Sequence, residues 1–151
     1  MSVSARLSEL NIILPAAPAP AANYVPYVQS GNLLFVSGQI SAGPDGLIVG
    51  RVGEDMDVAA GAAAARACGL ALIAQAQAAL GDLDRIRRVV KLTGFVNSTP
   101  GFTDQPEVIN GCSDLMVEVF GDAGRHARAA VSAAALPRGV AVEIEAIFEI
   151  S

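Results

Sequence analysis

The segment at residues 140–150 (VAVEIEAIFEI) alternates between two kinds of side chain, and this pattern constrains the fold more than any other in the chain. Apolar side chains occupy the even positions from 142 to 150, whereas three glutamates and Ile147 occupy the odd positions. A strand with this period of two needs a covering layer on its apolar face. Its charged face must meet water, a partner subunit or a ligand site. The pattern therefore predicts a sheet that helices cover on one face.

A second run of small and apolar residues, RHARAAVSAAA, precedes this strand, and the sequence Leu-Pro-Arg-Gly separates the two runs. Proline and glycine between two strand-like runs are typical of a turn, so the C-terminal region is predicted to form a hairpin. Arg128 lies in the first run and Glu143 in the second. The predicted hairpin would place these two charged side chains on neighbouring strands.

Two longer segments have the composition of helices. The first, Val58 to Leu80, is rich in alanine, with Asp57 as a plausible N-cap and Gly81 as a plausible C-terminal stop. Its small side chains would let the helix lie close to a sheet. The second helix is predicted from Pro106 to Phe120.

The remaining elements are shorter. A helix is predicted near residues 4–11, followed by a stiff Pro/Ala-rich connector at 15–22, a hairpin at 24–40, a loop at 41–50 and a strand at 89–97. The resulting order, ββ-α-β-α-ββ, favours an α+β fold in which two helices pack on one face of a single sheet. We treat residues 1–151 as one domain, in which residues 1–22 are an N-terminal extension and connector.

Composition limits the partners. Apolar residues make up 52% of the chain and charged residues only 17%. This composition is more apolar than expected of a small soluble monomer, and it therefore predicts a buried subunit interface. The formal net charge is −5, with ten basic residues against fifteen acidic ones. An acidic chain of this kind is not expected to bind the phosphate backbone of a nucleic acid.

Metal and cofactor signals are absent from the sequence. The single histidine, His126, and the two cysteines show no ligand spacing, and no glycine-rich segment matches a phosphate-binding loop. Ser37 and Ser132 lack an evident His126-based relay, so a serine nucleophile is not expected. We read no export signal and no uninterrupted membrane span, and therefore expect a cytoplasmic protein without membrane contact.

Four segments resemble a known family. They are PYVQSGNLLFVSGQI, VVKLTGFVNS, INGCSDLMVEVFG and RAAVSAAALPRGVAVEIEAI, and they occur in the family's order. On these motifs the chain resembles the Rid family, also called YjgF-like, of reactive-intermediate enamine/imine deaminases. The resemblance extends from about Asn23 to Ile150.

This resemblance implies a chorismate-mutase-like fold that assembles as a homotrimer around a central barrel, with the helices outside and ligand sites in the clefts between subunits. It also implies an activity, the hydrolysis of 2-imino acids to 2-oxo acids and ammonia. The partner would be a small-molecule carboxylate substrate, and neither a metal nor another cofactor would be required.

The family's functional positions map onto five residues of this chain. Arg128 matches the arginine that holds the substrate carboxylate, and Glu143 matches the glutamate that helps place the attacking water. Tyr27, Gly38 and Asn110 match further substrate-binding positions. The chain departs from many relatives in having Ala130 where they have cysteine, and in its N-terminal extension, which is similar to a longer branch of the family.

Two other functions stay open at this point. A non-catalytic trimer that binds a small carboxylate, with a regulatory or interaction role, would use the same arginine. Endoribonuclease action is less favoured, because the chain is acidic. Arg128 could also serve structure alone, as an ion pair with Glu143 or Glu145.

Overall fold

A computed structural model describes residues 1–20 and 22–151, and it shows one five-stranded sheet with three α-helices. The strands are β1 (Tyr27–Ser30), β2 (Leu33–Ile40), the short pair β3 (Ala42–Gly43) and β4 (Gly46–Leu47), β5 (Ile86–Asn97), β6 (Ala127–Ala133) and β7 (Val142–Ile150). The helices are α1 (Val3–Glu9), α2 (Val58–Leu80) and α3 (Gln105–Phe120). One-turn 3-10 helices occupy Leu83–Arg85, Gly121–Gly124 and Pro137–Gly139.

The main sheet has the strand order β1-β2-β7-β5-β6. Neighbouring strands are antiparallel except β5 and β6, which are parallel. The predicted alternation in β7 is confirmed, because Val142, Ile144, Ala146, Phe148 and Ile150 are all buried. This mixed sheet with helices against one face is the chorismate-mutase-like α+β fold that the resemblance implies.

The predicted C-terminal hairpin is wrong. Both strands form, but β5 lies between them, and β6 occupies the edge of the sheet. The chain leaves β5, passes through α3 and returns as β6 parallel to β5, as a helical crossover connection requires. The segment after β6 then crosses the end of β5, where the backbone N–H of Asn97 donates to the carbonyl of Ala141 at 2.8 Å.

The helix predictions are confirmed with small shifts at the ends. α2 has the predicted bounds, because the Asp57 side chain accepts from the backbone N–H of Ala60 at 2.8 Å and Gly81 adopts a left-handed φ of 76°. α3 begins one residue before the predicted Pro106. By length and composition α2 could also cross a membrane, but 56% of its most apolar window is buried inside the protein, which is expected of a core helix.

Small residues bring α2 and α3 into close contact. A Cβ atom on Gly111 of α3 would overlap the carbonyl oxygen of Ala62 in α2. A Cβ on Gly69 of α2 would lie 2.9 Å from Cδ2 of Leu115 in α3. The small side chains of α2 were predicted to allow close packing against the sheet, and the structure shows that they also allow close packing against α3. The contact at Gly111 also fixes the rotation of α3, and with it the face that α3 turns toward β6.

Cys68 and Cys112 lie in this helical layer, and both are fully buried free thiols. Burial raises the pKa of Cys112 to about 12 and raises the pKa of Cys68 well above its usual value. Both side chains therefore pack as small apolar groups, as the sequence predicts.

The N-terminal segment is fastened to the helical layer. Leu7 of α1 is buried, and the Nε–H of Arg6 donates to the carbonyl of Glu118 in α3 at 2.8 Å. Further along, the carbonyl of Pro18 accepts from the Nε2–H of Gln75 in α2 at 2.6 Å. The segment thus reaches from the end of α3 to the middle of α2.

Candidate functional site

Arg128 lies on the edge strand β6 and points toward α3. It pairs in register with Leu92 of β5, which is buried under the helices, so the two side chains share the helical face of the sheet. The Nη1 group of Arg128 donates to Oδ1 of Asn110 at 2.9 Å and to Oγ of Ser113 at 3.1 Å. Its Nη2 group donates to the carbonyl of Pro106 at 3.2 Å. Three contacts therefore hold the guanidinium against the helix.

The three acceptors lie on one stripe of α3. Pro106, Asn110 and Ser113 are spaced by four and three residues, which places them on the same face of a helix. Asn110 was predicted as a substrate-binding residue, and the structure brings it into contact with Arg128. Ser113 was not predicted, although its spacing of three residues from Asn110 is a signal that could have identified it.

His126 extends this group. Its Nδ1 lies 2.6 Å from the carbonyl of Gly124, and because a carbonyl can only accept, Nδ1 carries the proton of the neutral ring. Nε2, at 2.8 Å from Oγ of Ser113, then accepts the hydroxyl proton, which leaves Oγ as the acceptor for Arg128. Burial lowers the pKa of His126, and the nearby positive charge of Arg128 lowers it further. The hydroxyl that pairs with His126 is thus that of Ser113 and not that of Ser37 or Ser132.

The guanidinium of Arg128 retains hydrogen-bonding capacity. Its five N–H donors exceed its three contacts with the residues that the structure describes, so Nε–H and one Nη2 hydrogen remain available to a ligand. An open depression of about 240 Å³ lies beside it, with Asn110, Ser113 and His126 among its walls. Ala130, two residues along the strand, is partly buried and packs against the core.

Glu143 occupies a different part of the sheet. It lies on β7 opposite Ile40 of β2 and Phe95 of β5, and it shares the open face, away from the helices. A β-bulge in β2 lies beside it, because Ser37 and Gly38 together oppose the single residue Glu145. A Cβ atom on Gly38 would overlap the Glu143 carboxylate. Gly38 thus serves the close approach of this carboxylate to the backbone.

The carboxylate of Glu143 is in a partly desolvated environment. Burial raises its pKa above the usual value, and the negative charge of Glu145 raises it further. Glu143 and Gly38 line a cavity of about 560 Å³, which we call the Glu143 cavity.

Tyr27 joins neither group. It pairs with Val36 at the start of β1, is half-buried, and packs against the core on the helical face. Tyr24 and Pro26, and not Tyr27, line the Glu143 cavity. A substrate-binding role for Tyr27 stays a prediction.

The structure separates Arg128 from Glu143. They lie two strands apart, about 10 Å at the usual strand spacing, and on opposite faces of the sheet. The expectation that they lie on neighbouring strands is therefore wrong, since it depended on the hairpin. Within one chain Arg128 contacts α3 and forms no ion pair with Glu143 or Glu145 among the described salt bridges.

The open face of the sheet carries large apolar side chains. Val28, Phe35 and Val131 are 51%, 40% and 43% exposed, although each lies in a strand. Val28 pairs with Phe35, and Phe35 pairs with Ile147 of β7, so the apolar side chains run across neighbouring strands. Contiguous apolar surface of this kind is typical of an interaction face.

Comparisons with known proteins agree with this fold. A family profile described as "YjgF/chorismate_mutase-like, putative endoribonuclease" matches residues 4–147. The Trypanosoma cruzi protein TCP17 is 56% identical over 151 residues, which cover 99% of this chain and 94% of that protein.

Two solved structures are similar over almost the whole chain. The Agrobacterium tumefaciens protein Atu1372, of unknown function, is 52% identical with a TM-score of 0.91, and the match covers 99% of this chain and 92% of that one. A Shewanella oneidensis protein described in the same endoribonuclease terms is 33% identical with a TM-score of 0.95, covering 99% and 100%. On the matched profile, the shared fold and these relatives, the chain belongs to the YjgF (Rid) family.

Proposed function

We propose that this protein hydrolyses 2-imino acids to 2-oxo acids and ammonia. The observation that carries the proposal is Arg128, whose guanidinium is held in place by α3 while two of its N–H donors remain available. A planar guanidinium with free donors matches the two oxygens of a carboxylate. Family membership supports the same reaction class, as the resemblance of the motifs implies.

The reaction needs little beyond positioning and proton transfer. Water adds to the C=N carbon of R–C(=NH)–COO⁻, and the nitrogen takes up a proton as the tetrahedral carbinolamine forms. The C–N bond then breaks, ammonia leaves, and the hydroxyl loses its proton to give R–C(=O)–COO⁻. A carboxylate can accept the proton from water and return one to nitrogen, which is general acid–base catalysis. The raised pKa of Glu143 suits both steps, because it brings the group closer to neutral pH.

Arg128 and Glu143 can act on one ligand only if they come from different chains. Within one chain they lie on opposite faces of the sheet. We therefore propose that Arg128 of one subunit faces Glu143 of its neighbour in a homotrimer, with the open faces of the sheets packed together. The exposed Val28, Phe35 and Val131 support burial of that face. We further propose that the reaction needs no metal or cofactor and occurs in the cytoplasm.

The test is a rate measurement with an unstable substrate. Freshly generated 2-iminopropanoate, made in situ by an amino-acid oxidase, is followed with and without the protein, with semicarbazide as a competing trap. We expect 2-oxo acid to form faster with the protein, and light scattering to give the mass of three chains. A trimer that binds 2-oxo acids without accelerating the reaction would support the non-catalytic alternative. Cleavage of RNA by the pure protein would support the endoribonuclease description of its relatives.

Substitutions at Arg128 test the carboxylate-binding role. Arg128→Ala should lower kcat/KM by the equivalent of about 2–4 kcal/mol, which is the scale of a lost bidentate, charge-assisted hydrogen bond. Arg128→Lys should recover only part of the lost kcat/KM, because an ammonium keeps the positive charge but cannot form two parallel hydrogen bonds to a carboxylate. Both variants should remain trimeric. If Arg128→Ala hydrolysed imines at the parent rate, the arginine would be structural and the proposal would fail.

A further inference from the structure

One wall of the Glu143 cavity comes from outside the sheet. The N-terminal connector supplies Pro18, Ala19 and Pro20, which line the cavity together with Gly38 and Glu143. Most other walls are also carbon surface, from Pro26, Ile40, Leu47 and Pro137. The carboxylate of Glu143 therefore borders a space that is largely apolar, and the connector closes one side of it.

This wall is fastened by a buried amide. Gln75 of α2 is only 1% exposed, and its Nε2 group donates to the carbonyl of Pro18 at 2.6 Å and to Oε1 of Gln39 at 3.4 Å. A buried amide left without partners is costly, so Gln75 stabilises the connector in this position. The side chain of Gln39 in turn donates to the carbonyl of Ser37 at 2.9 Å.

These contacts connect the wall to the catalytic side of the cavity. Ser37 belongs to the β-bulge, and the next residue, Gly38, lies directly beneath the Glu143 carboxylate. Hydrogen bonds through Gln75 and Gln39 therefore link the position of the connector to that of the Glu143 carboxylate. A ligand whose reacting carbon lies beside Glu143 would meet the connector with the group attached to that carbon.

We propose that the connector makes the Glu143 cavity a specificity pocket for 2-imino acids with bulky apolar side chains. This inference rests on the proposed hydrolysis and names its substrate class. The cavity volume of about 560 Å³ lies in the usual range of ligand sites and far exceeds the space that a methyl group fills. Burial of each further methylene in an apolar pocket is worth about fourfold in affinity. The connector residues Ala19 and Pro20 are specificity-determining, and Gln75 is a positioning residue.

The cavity also has a cation at its margin. Arg138 lines it and is exposed, with a left-handed backbone φ of 59°. An acidic side chain on the substrate could approach this guanidinium, but it would also have to lie near the carboxylate of Glu143. We therefore assign the apolar class to the pocket and include an acidic substrate in the test.

The experiment compares three imines on the wild-type protein. Their side chains are methyl (2-iminopropanoate), isobutyl (2-imino-4-methylpentanoate) and carboxyethyl (2-iminoglutarate). We expect kcat/KM to be roughly tenfold or more higher for the isobutyl substrate than for the methyl one. Equal values for these two, or a preference for the carboxyethyl substrate, would overturn the assignment.

A pair of tryptophan variants tests the wall. Ala19 is exposed and lines the cavity, whereas Ala17 is exposed on the same segment and does not line it. Ala19→Trp should lower the ratio of kcat/KM for the isobutyl substrate to kcat/KM for the methyl substrate about tenfold. Ala17→Trp should leave this ratio unchanged. Equal effects of the two variants on both substrates would show that the connector does not shape the pocket.

A binding measurement separates this inference from the proposed reaction. By calorimetry, 4-methyl-2-oxopentanoate should bind more tightly than pyruvate, and Ala19→Trp should remove the difference. If no imine is hydrolysed but this preference is found, the pocket stands and the proposed hydrolysis fails. If all imines are hydrolysed without any preference in rate or binding, the reaction stands and the pocket fails.

Discussion

The two charged groups of the site are held in opposite ways. Arg128 is fixed by the hydrogen bonds that it donates to three residues of one helix, and the half-buried His126 orients one of the acceptors, Ser113. Glu143 lies over a glycine in a bulge and borders a cavity with largely apolar walls. Polar contacts position the guanidinium of Arg128, whereas burial and the charge of Glu145 raise the pKa of the Glu143 carboxyl.

This difference matches the work that each group would do. A guanidinium that binds a carboxylate must be rigid and charged, and hydrogen bonds to its donors favour both. A carboxylate that exchanges protons benefits from a pKa closer to the working pH, and desolvation provides the shift. The fold separates the two requirements by placing the groups on opposite faces of the sheet.

The largest effect is expected from Gly111→Ala, which should disturb the Arg128 side alone. The new methyl would overlap the carbonyl oxygen of Ala62, a backbone atom that cannot rotate away. We expect a loss of about 3 kcal/mol in the free energy of unfolding, at the upper end for overpacking. Denaturant titration measures it. Gly101→Ala is the matched control, since a Cβ there would meet nothing within 4 Å.

Mixed assemblies test whether the two sides belong to different chains. Arg128→Ala and Glu143→Gln should each be nearly inactive alone. When the two variants are unfolded and refolded together, about one quarter of the sites should contain both native residues, and activity should return in that proportion. The double variant, refolded with itself, is the control and should stay inactive. No recovery in the mixture of the two inactive variants would mean that both residues act from one chain.

A smaller effect is expected from Glu143→Gln on stability. Because the folded-state pKa of Glu143 is raised, the charged form destabilises the fold at neutral pH, and the penalty disappears as pH falls through the folded and then the unfolded pKa. The variant should therefore be more stable than the parent at pH 7, by no more than about 1 kcal/mol because the group is partly solvated. Melting temperatures of both proteins between pH 7 and pH 4 should converge on acidification. A constant gap would contradict this account.

The smallest effect is expected from His126→Gln. The folded-state pKa of His126 is lowered, so its contribution to stability is present above the unfolded pKa of about 6.5 and is lost as pH falls below it. The parent should lose stability relative to the variant between pH 7 and pH 5, by a few tenths of a kcal/mol after allowance for solvent. Differential scanning calorimetry at half-unit pH steps follows the difference. If the two proteins show parallel pH profiles, the imidazole does not titrate with folding.

Local patterns in the sequence were sufficient for the elements but not for their arrangement. The ends of α2 follow from Asp57 and Gly81, and the buried face of β7 follows from its alternation. The Leu-Pro-Arg-Gly segment is equally compatible with a hairpin and with a longer crossing of β5. The deciding fact is the parallel pairing of β6 with β5, which is a contact between distant segments.

The same limit applies to the site. The motifs identified Arg128, Glu143, Gly38 and Asn110 one by one, and the structure groups them into two contacting pairs, Asn110 with Arg128 and Gly38 with Glu143. The face on which a strand residue lies, however, depends on the register of the strand with its neighbours. Because β6 was predicted as the neighbour of β7, Arg128 and Glu143 were predicted to lie close together. Gln75 was not predicted because a lone polar residue in a helix has no distinctive pattern, whereas Ser113 could have been identified from its spacing to Asn110.

The two buried thiols make the helical layer accessible to a kinetic probe. Cys68 and Cys112 lie where α2 faces α3 and the sheet, and neither is exposed. A thiol reagent can reach them only when the layer opens, so the rate of modification reports the population of the open state. Each tenfold slowing relative to the unfolded chain then corresponds to about 1.4 kcal/mol of opening free energy. The native cysteines can therefore serve as built-in reporters of how firmly the scaffold beneath Arg128 stays closed.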